Sequence, residues 1–86
     1  MERISTDRPF ETSDLYLASY LVTRGLSLWA TDARNPERVV FVLTPRPEAE
    51  DLEAYMEGRA VVNVGQFGRA LRTLKQALWQ AKGVPR

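Results

Sequence analysis

Val39-Val-Phe-Val-Leu is a continuous β-branched and aromatic run. A run of that kind reads as a strand covered on both faces or lying at the centre of a sheet. Thr44-Pro-Arg-Pro stops it, since proline cannot donate to a ladder. Upstream, Leu26-Ser-Leu-Trp-Ala-Thr alternates with period two and reads as a half-buried strand. Asp32-Ala-Arg-Asn-Pro-Glu between them is turn chemistry, and its shortness predicts an antiparallel hairpin. A hairpin is not stable alone, so the rest of the chain has to cover it.

Three helices are available to do so. Thr12 or Ser13 can cap a first helix over 13–24, and Asp14 complements the positive end of its dipole. Leu15, Ala18, Leu21 and Val22 recur at helical spacing with Leu17 beside them, and Gly25 supplies a left-handed stop. Pro47 suits the first turn of a second helix whose start is loaded with Glu48, Glu50 and Asp51. Its narrow apolar stripe is Leu52, Tyr55 and Met56, and Gly58 closes it. Asn63 and Gln66 resemble a capping box ahead of a last helix from about Val64 to Lys82. Ala60-Val-Val is read as a short third strand. The expectation is an α+β domain, a small antiparallel sheet of two or three strands packed against three helices, in the order α-β-β-α-(β)-α. It is a single domain over 1–86, with 1–9 and 83–86 as loose ends.

Composition removes several function classes. The chain has 86 residues with no Cys and no His, so disulfides, thiolate chemistry, zinc fingers and His-based dyads are excluded. No apolar run is long enough for a membrane span or a signal core, which points to a cytoplasmic protein. Glu50, Glu53 and Glu57 lie near one helical face, but a Mg²⁺ site also needs phosphates and a shaped pocket. The simpler reading is a solvated acidic face. Gly65 and Gly68 lack the spacing of a phosphate-binding loop. The expectation is therefore a protein that is not an enzyme and that uses no metal or small-molecule cofactor.

The net charge of +1 conceals a division. Residues 1–58 carry all eleven acids against six arginines, a balance of −5, whereas residues 59–86 carry six cations and no acid. On a helical projection of about 100° per residue from Arg69, the apolar residues Phe67, Leu71, Leu74, Leu78 and Ala81 fall between about 120° and 200°. Arg72, Lys75, Trp79, Lys82 and Arg86 fall between about 220° and 300°, with Arg69 further round. Cations that track phosphates beside a ring that stacks a base are the means of holding single-stranded nucleic acid. Trp and Arg are equally the anchors of protein interfaces, and Trp79 can also lean over the edge of the core. Trp29 reads as cover for the second face of the sheet under a helix, ahead of a contact surface.

Phe10-Glu-Thr-Ser-Asp-Leu-Tyr-Leu-Ala-Ser-Tyr-Leu-Val-Thr-Arg-Gly resembles the signature of a family of short bacterial and phage domains of unknown function. That family shows a T-S-D-x-x-L-A-x-x-L helix closed by Gly, an apolar strand pair and a late helix rich in Leu, Arg and Lys. Val39–Leu43 and Phe67-Gly-Arg-Ala-Leu-Arg-Thr-Leu-Lys fit that layout, so the resemblance spans residues 10–80. It carries over no activity and no functional residues. Its phage and mobile-element context implies nucleic-acid handling or binding of a host or replication protein. The favoured expectation is a small accessory protein that binds nucleic acid through Arg69, Arg72, Lys75, Trp79, Lys82 and Arg86. The alternative is an interaction module whose same helix docks on an acidic protein surface or on a second copy of the chain.

Overall fold

A computed structural model describes residues 8–83 of the chain. The element order is β1 (Phe10–Thr12), α1 (Leu15–Thr23), β2 (Ser27–Asp32), β3 (Val40–Thr44), α2 (Ala49–Met56) and α3 (Val64–Lys82). The fold is α+β, with three helices and one antiparallel sheet in the order β1-β3-β2. The apolar run is thus the central strand, hydrogen-bonded on both sides. Phe41, Val42 and Leu43 are all buried.

The third strand is not where the sequence placed it. Phe10–Thr12 pairs with β3 through Phe10–Leu43, Glu11–Val42 and Thr12–Phe41, while Ala60–Val62 forms no strand. A strand has two hydrogen-bonding edges, and β1 and β2 occupy both edges of β3. Ala60 and Val62 instead turn in against the core, and Val61 is 84% exposed. Recruitment of Thr12 into the sheet also moves the helix start. Asp14, rather than Thr12 or Ser13, is the N-cap of α1, with one carboxylate oxygen accepting from the Tyr16 and Leu17 amides at 3.0 Å each. Thr12 Oγ1 in turn accepts from the Asp14 amide.

Strand alternation puts Phe41 and Leu43 on the face that receives the helices. They join Leu17, Ala18, Tyr20, Leu21, Leu26 and Leu74 in one buried cluster. Ser19 is buried beside them, and its hydroxyl donates to the Leu15 carbonyl at 2.8 Å. The end of α1 is a Schellman turn: the Gly25 amide donates to Val22 and the Leu26 amide to Leu21. Gly25 sits at φ 111°, a backbone region that side chains resist, and Leu26 is thereby turned into the core.

Two corrections concern the surface. Trp29 is 67% exposed rather than sandwiched under a helix. It occupies the irregularity between Leu28 and Ala30 on the edge strand β2, where the register slips and alternation is lost. The helices pack on the opposite, Phe41–Leu43 face. Met56 is 79% exposed, because α2 turns Asp51 and Ala54 inward and a residue two places on points away. The helix also starts later than expected, with Glu48 as N-cap and Pro47 preceding it.

Polar and aromatic contacts tie α2 to α1. Arg24 Nε lies 3.1 Å from Asp51 Oδ1, the Tyr20 and Tyr55 rings stack at 5.9 Å, and the Tyr55 hydroxyl donates to the second oxygen of Asp14 at 3.1 Å. Burial first, and the neighbouring Asp14 carboxylate second, push the Tyr55 phenol above its ordinary pKa.

Removing Leu21, which is wholly buried, tests this core. Leu21→Ala is expected to lower stability by about 2–5 kcal/mol. Gly25→Val is expected to cost about 1–3 kcal/mol from backbone strain, although open space surrounds the added Cβ. Urea unfolding midpoints read both, and an unmoved midpoint in Leu21→Ala would contradict the assigned core.

Candidate nucleic-acid interface

Asn63 caps α3 by accepting the Gln66 amide at 3.0 Å, and the left-handed Gly83 ends it. Leu74 and Ala70 are its buried residues; Phe67, Leu71, Ala77, Leu78 and Ala81 are half-buried. The expected apolar face is therefore the packed one, centred closer to Ala70 than the projection placed it. Because a helix turns about 100° per residue, seating positions 70 and 74 aims positions 72, 75, 79 and 82 at solvent. Arg72, Lys75 and Lys82 are exposed, and Trp79 is 40% exposed. Arg72 to Lys82 spans about 15 Å of helix axis.

One expected residue stands apart from that stripe, and another is not described. Arg69 is exposed, but it lines a separate groove of about 420 Å³ with Val22, Thr23 and Leu28, on the α1–β2 side of the helix. Arg86 lies outside the described residues. Among the described residues, ion pairs join Arg24 to Asp51, Arg34 to Asp32 and Arg59 to Glu57; none engages Arg69, Arg72, Lys75 or Lys82. No described group of three or more acids is placed to hold a metal ion, and Glu57 forms an ion pair with Arg59.

Sequence reasoning missed two residues beside the stripe. Glu37 and Arg38, in the turn between β2 and β3, line a second groove of about 450 Å³ together with Lys82, Leu78, Leu15 and Ser13. The turn is held by its own side chains and backbone: the Asp32 carboxylate accepts the Arg34 amide, Asn35 Oδ1 accepts the Glu37 amide, and the Asn35 backbone carbonyl accepts the Arg38 amide. The antiparallel hairpin places this turn at one end of the sheet. Which end of α3 it meets depends on how the helix lies across the sheet, and no local pattern records that.

The Arg34 guanidinium forms two-pronged hydrogen bonds to Asp32, with Nε 3.0 Å from Oδ1. Those bonds, and the Arg34 amide after them, hold the Asp32 carboxyl at about 2, and the same contact raises Arg34. A carboxylate with a depressed native pKa stabilises the fold above its unfolded value of about 3.9 and loses that contribution as pH falls toward 2. Arg34→Gln is expected to return the Asp32 midpoint toward about 3.9 in a carboxyl NMR titration, and to flatten the stability profile below about pH 4. A midpoint that stays near 2 would mean the guanidinium is not the cause.

No helix of the described residues is long and apolar enough to cross a membrane. No curated protein and no solved structure matches the chain. The family described as domain of unknown function DUF5659 matches residues 7–80, which includes all six secondary-structure elements but for the last two residues of α3. With the α1 motif, the strand pair and most of the basic helix inside that match, the chain belongs to the DUF5659 family.

Proposed function

We propose that this protein is a small, non-enzymatic accessory protein that binds single-stranded nucleic acid through the solvent-facing side of α3, in the cytoplasm and in phage or mobile-element DNA metabolism. One observation carries the reading. Arg72, Lys75 and Lys82 share an exposed helix face with a partly exposed indole, and no described carboxylate neutralises them. Phosphates meet the cations and a base stacks on Trp79; Arg69, exposed on the α1–β2 side of the helix, adds charge, and Arg86 belongs to the proposed set by its sequence alone. The genomic setting rests on the resemblance of residues 10–80 to short phage and bacterial domains. Single strands are favoured over duplex because a duplex keeps its bases stacked on each other and away from an indole.

The competing use of the same face is a protein contact. Glu48, Glu50 and Glu53 are exposed on and before α2, so a second copy of the chain offers the complementary charge. Solution behaviour separates the two.

Binding to a labelled oligothymidine is expected to weaken as salt rises, with a slope of about −0.7 per phosphate neutralised. Replacing Arg72 and Lys75 together with Gln should flatten that slope by one to two units, on the order of two contacts. Trp79→Ala should cost about 1–3 kcal/mol of binding, with the melting temperature unchanged because its ring lies outside the buried cluster. Both tryptophans are exposed, so quenching is read in a Trp29→Phe background. Salt-insensitive or undetectable oligonucleotide binding, with a mass in solution that falls on Trp79→Ala, would assign the face to protein contact instead.

A further inference from the structure

The groove at the far end of the stripe deserves its own occupant. Half-buried Leu15 and Leu78 give it apolar surface over the buried Val39 and Phe41, and Ser13, Glu37, Arg38 and Lys82 line it as well. The groove holds about 450 Å³ and is open to solvent. Lys82 belongs both to the α3 stripe and to this groove, so the two are continuous. Arg38 and Lys82 come from distant parts of the chain, and neither is paired with a described carboxylate, although Glu37 lines the same groove. Apolar surface beside two unpaired cations fits a ligand with a flat apolar part and an attached anion. A nucleotide unit is such a ligand.

We infer that a strand lying along α3 turns at Lys82 into this groove, where one unstacked base covers the apolar surface and its phosphate is held between Arg38 and Lys82. This rests on the proposed nucleic-acid reading and adds a second site to it, on the β2–β3 turn. Arg38 serves better than a lysine would, since a planar guanidinium can meet two phosphate oxygens at once. The turn backbone is already ordered by Asn35, so the freedom lost when Arg38 engages is that of its side chain. Glu37 repels the phosphate and confines it to the Arg38–Lys82 side. A duplex cannot use the groove, because its bases stay stacked.

The experiment measures oligothymidine affinity against salt for five variants, each checked for an unchanged melting temperature. Arg38→Gln is expected to weaken single-strand binding about tenfold at low salt, the scale of one charge-assisted hydrogen bond. It should also flatten the salt slope by about 0.7. Glu37→Gln should tighten binding. Arg46→Gln and Glu53→Gln make the same changes of charge outside the groove and should leave affinity within about twofold, as expected for screened exposed charges. Lys75→Gln reports the α3 face alone. If Arg38→Gln behaves like Arg46→Gln while Lys75→Gln still flattens the slope, the groove is not part of the path and the α3 reading stands. An equal Arg38→Gln effect on duplex would overturn entry of a base. Should the parent protein fail to bind oligothymidine at all, both readings fall together.

Discussion

The seating of Leu74 among Leu21, Phe41 and Leu43 governs most of what this protein presents to its surroundings. Leu74 is 1% exposed, and with Ala70 it fixes the roll of α3 about its own axis. A helix is stiff over 19 residues, so one seated face determines the direction of every other side chain on it. Had the helix rolled by one position, Trp79 would point toward the core and Arg72 would leave the exposed sector. The basic face is thus a consequence of core packing on the opposite side, not an independent feature of the surface.

Asp14 plays the matching role for the rest of the molecule. One of its oxygens caps α1 and the other takes the Tyr55 hydroxyl, so a single carboxylate starts one helix and anchors another. The second helix has little apolar surface to bury: Ala54 is buried, Leu52 and Tyr55 are half-buried, and Met56 faces water. The Tyr20–Tyr55 stack and the Arg24–Asp51 pair therefore carry more of its attachment than is usual for a surface helix. Arg24 remains half exposed, so its pairing contributes through geometry more than through energy.

Features written in local periodicity were legible in the sequence. The three helices, the Gly25 stop, the Asn63 cap, the central strand and the exposed face of α3 all follow from spacing and terminal chemistry. Features that depend on which distant segment takes a vacant position were not. Thr12 looks like a helix cap until its strand is seen filling the free edge of β3, and Ala60–Val62 looks like a strand until that edge is taken. Trp29 belongs to an alternating pattern that implies burial, and a single register slip removes it from that pattern. Arg38 carried no signal at all, because only the fold brings it to the same groove as Lys82.

The charge arrangement on α3 argues for a ligand on energetic grounds. Stability alone would favour acids spaced three or four residues from the cations, since such pairs add a few tenths of a kcal/mol each and like pairs subtract similar amounts, about 0.2–0.5. Arg72 and Lys75 are three apart, and the described helix contains no acid to offset them. Only Lys82, in the last turn, gains from the helix dipole. Asn63 satisfies the first turn without help from charge. The free helix face is therefore mildly self-repelling, and an anion laid along it relieves that repulsion as well as making its own contacts. The binding proposed for this face would thus offset a small cost that the isolated fold carries.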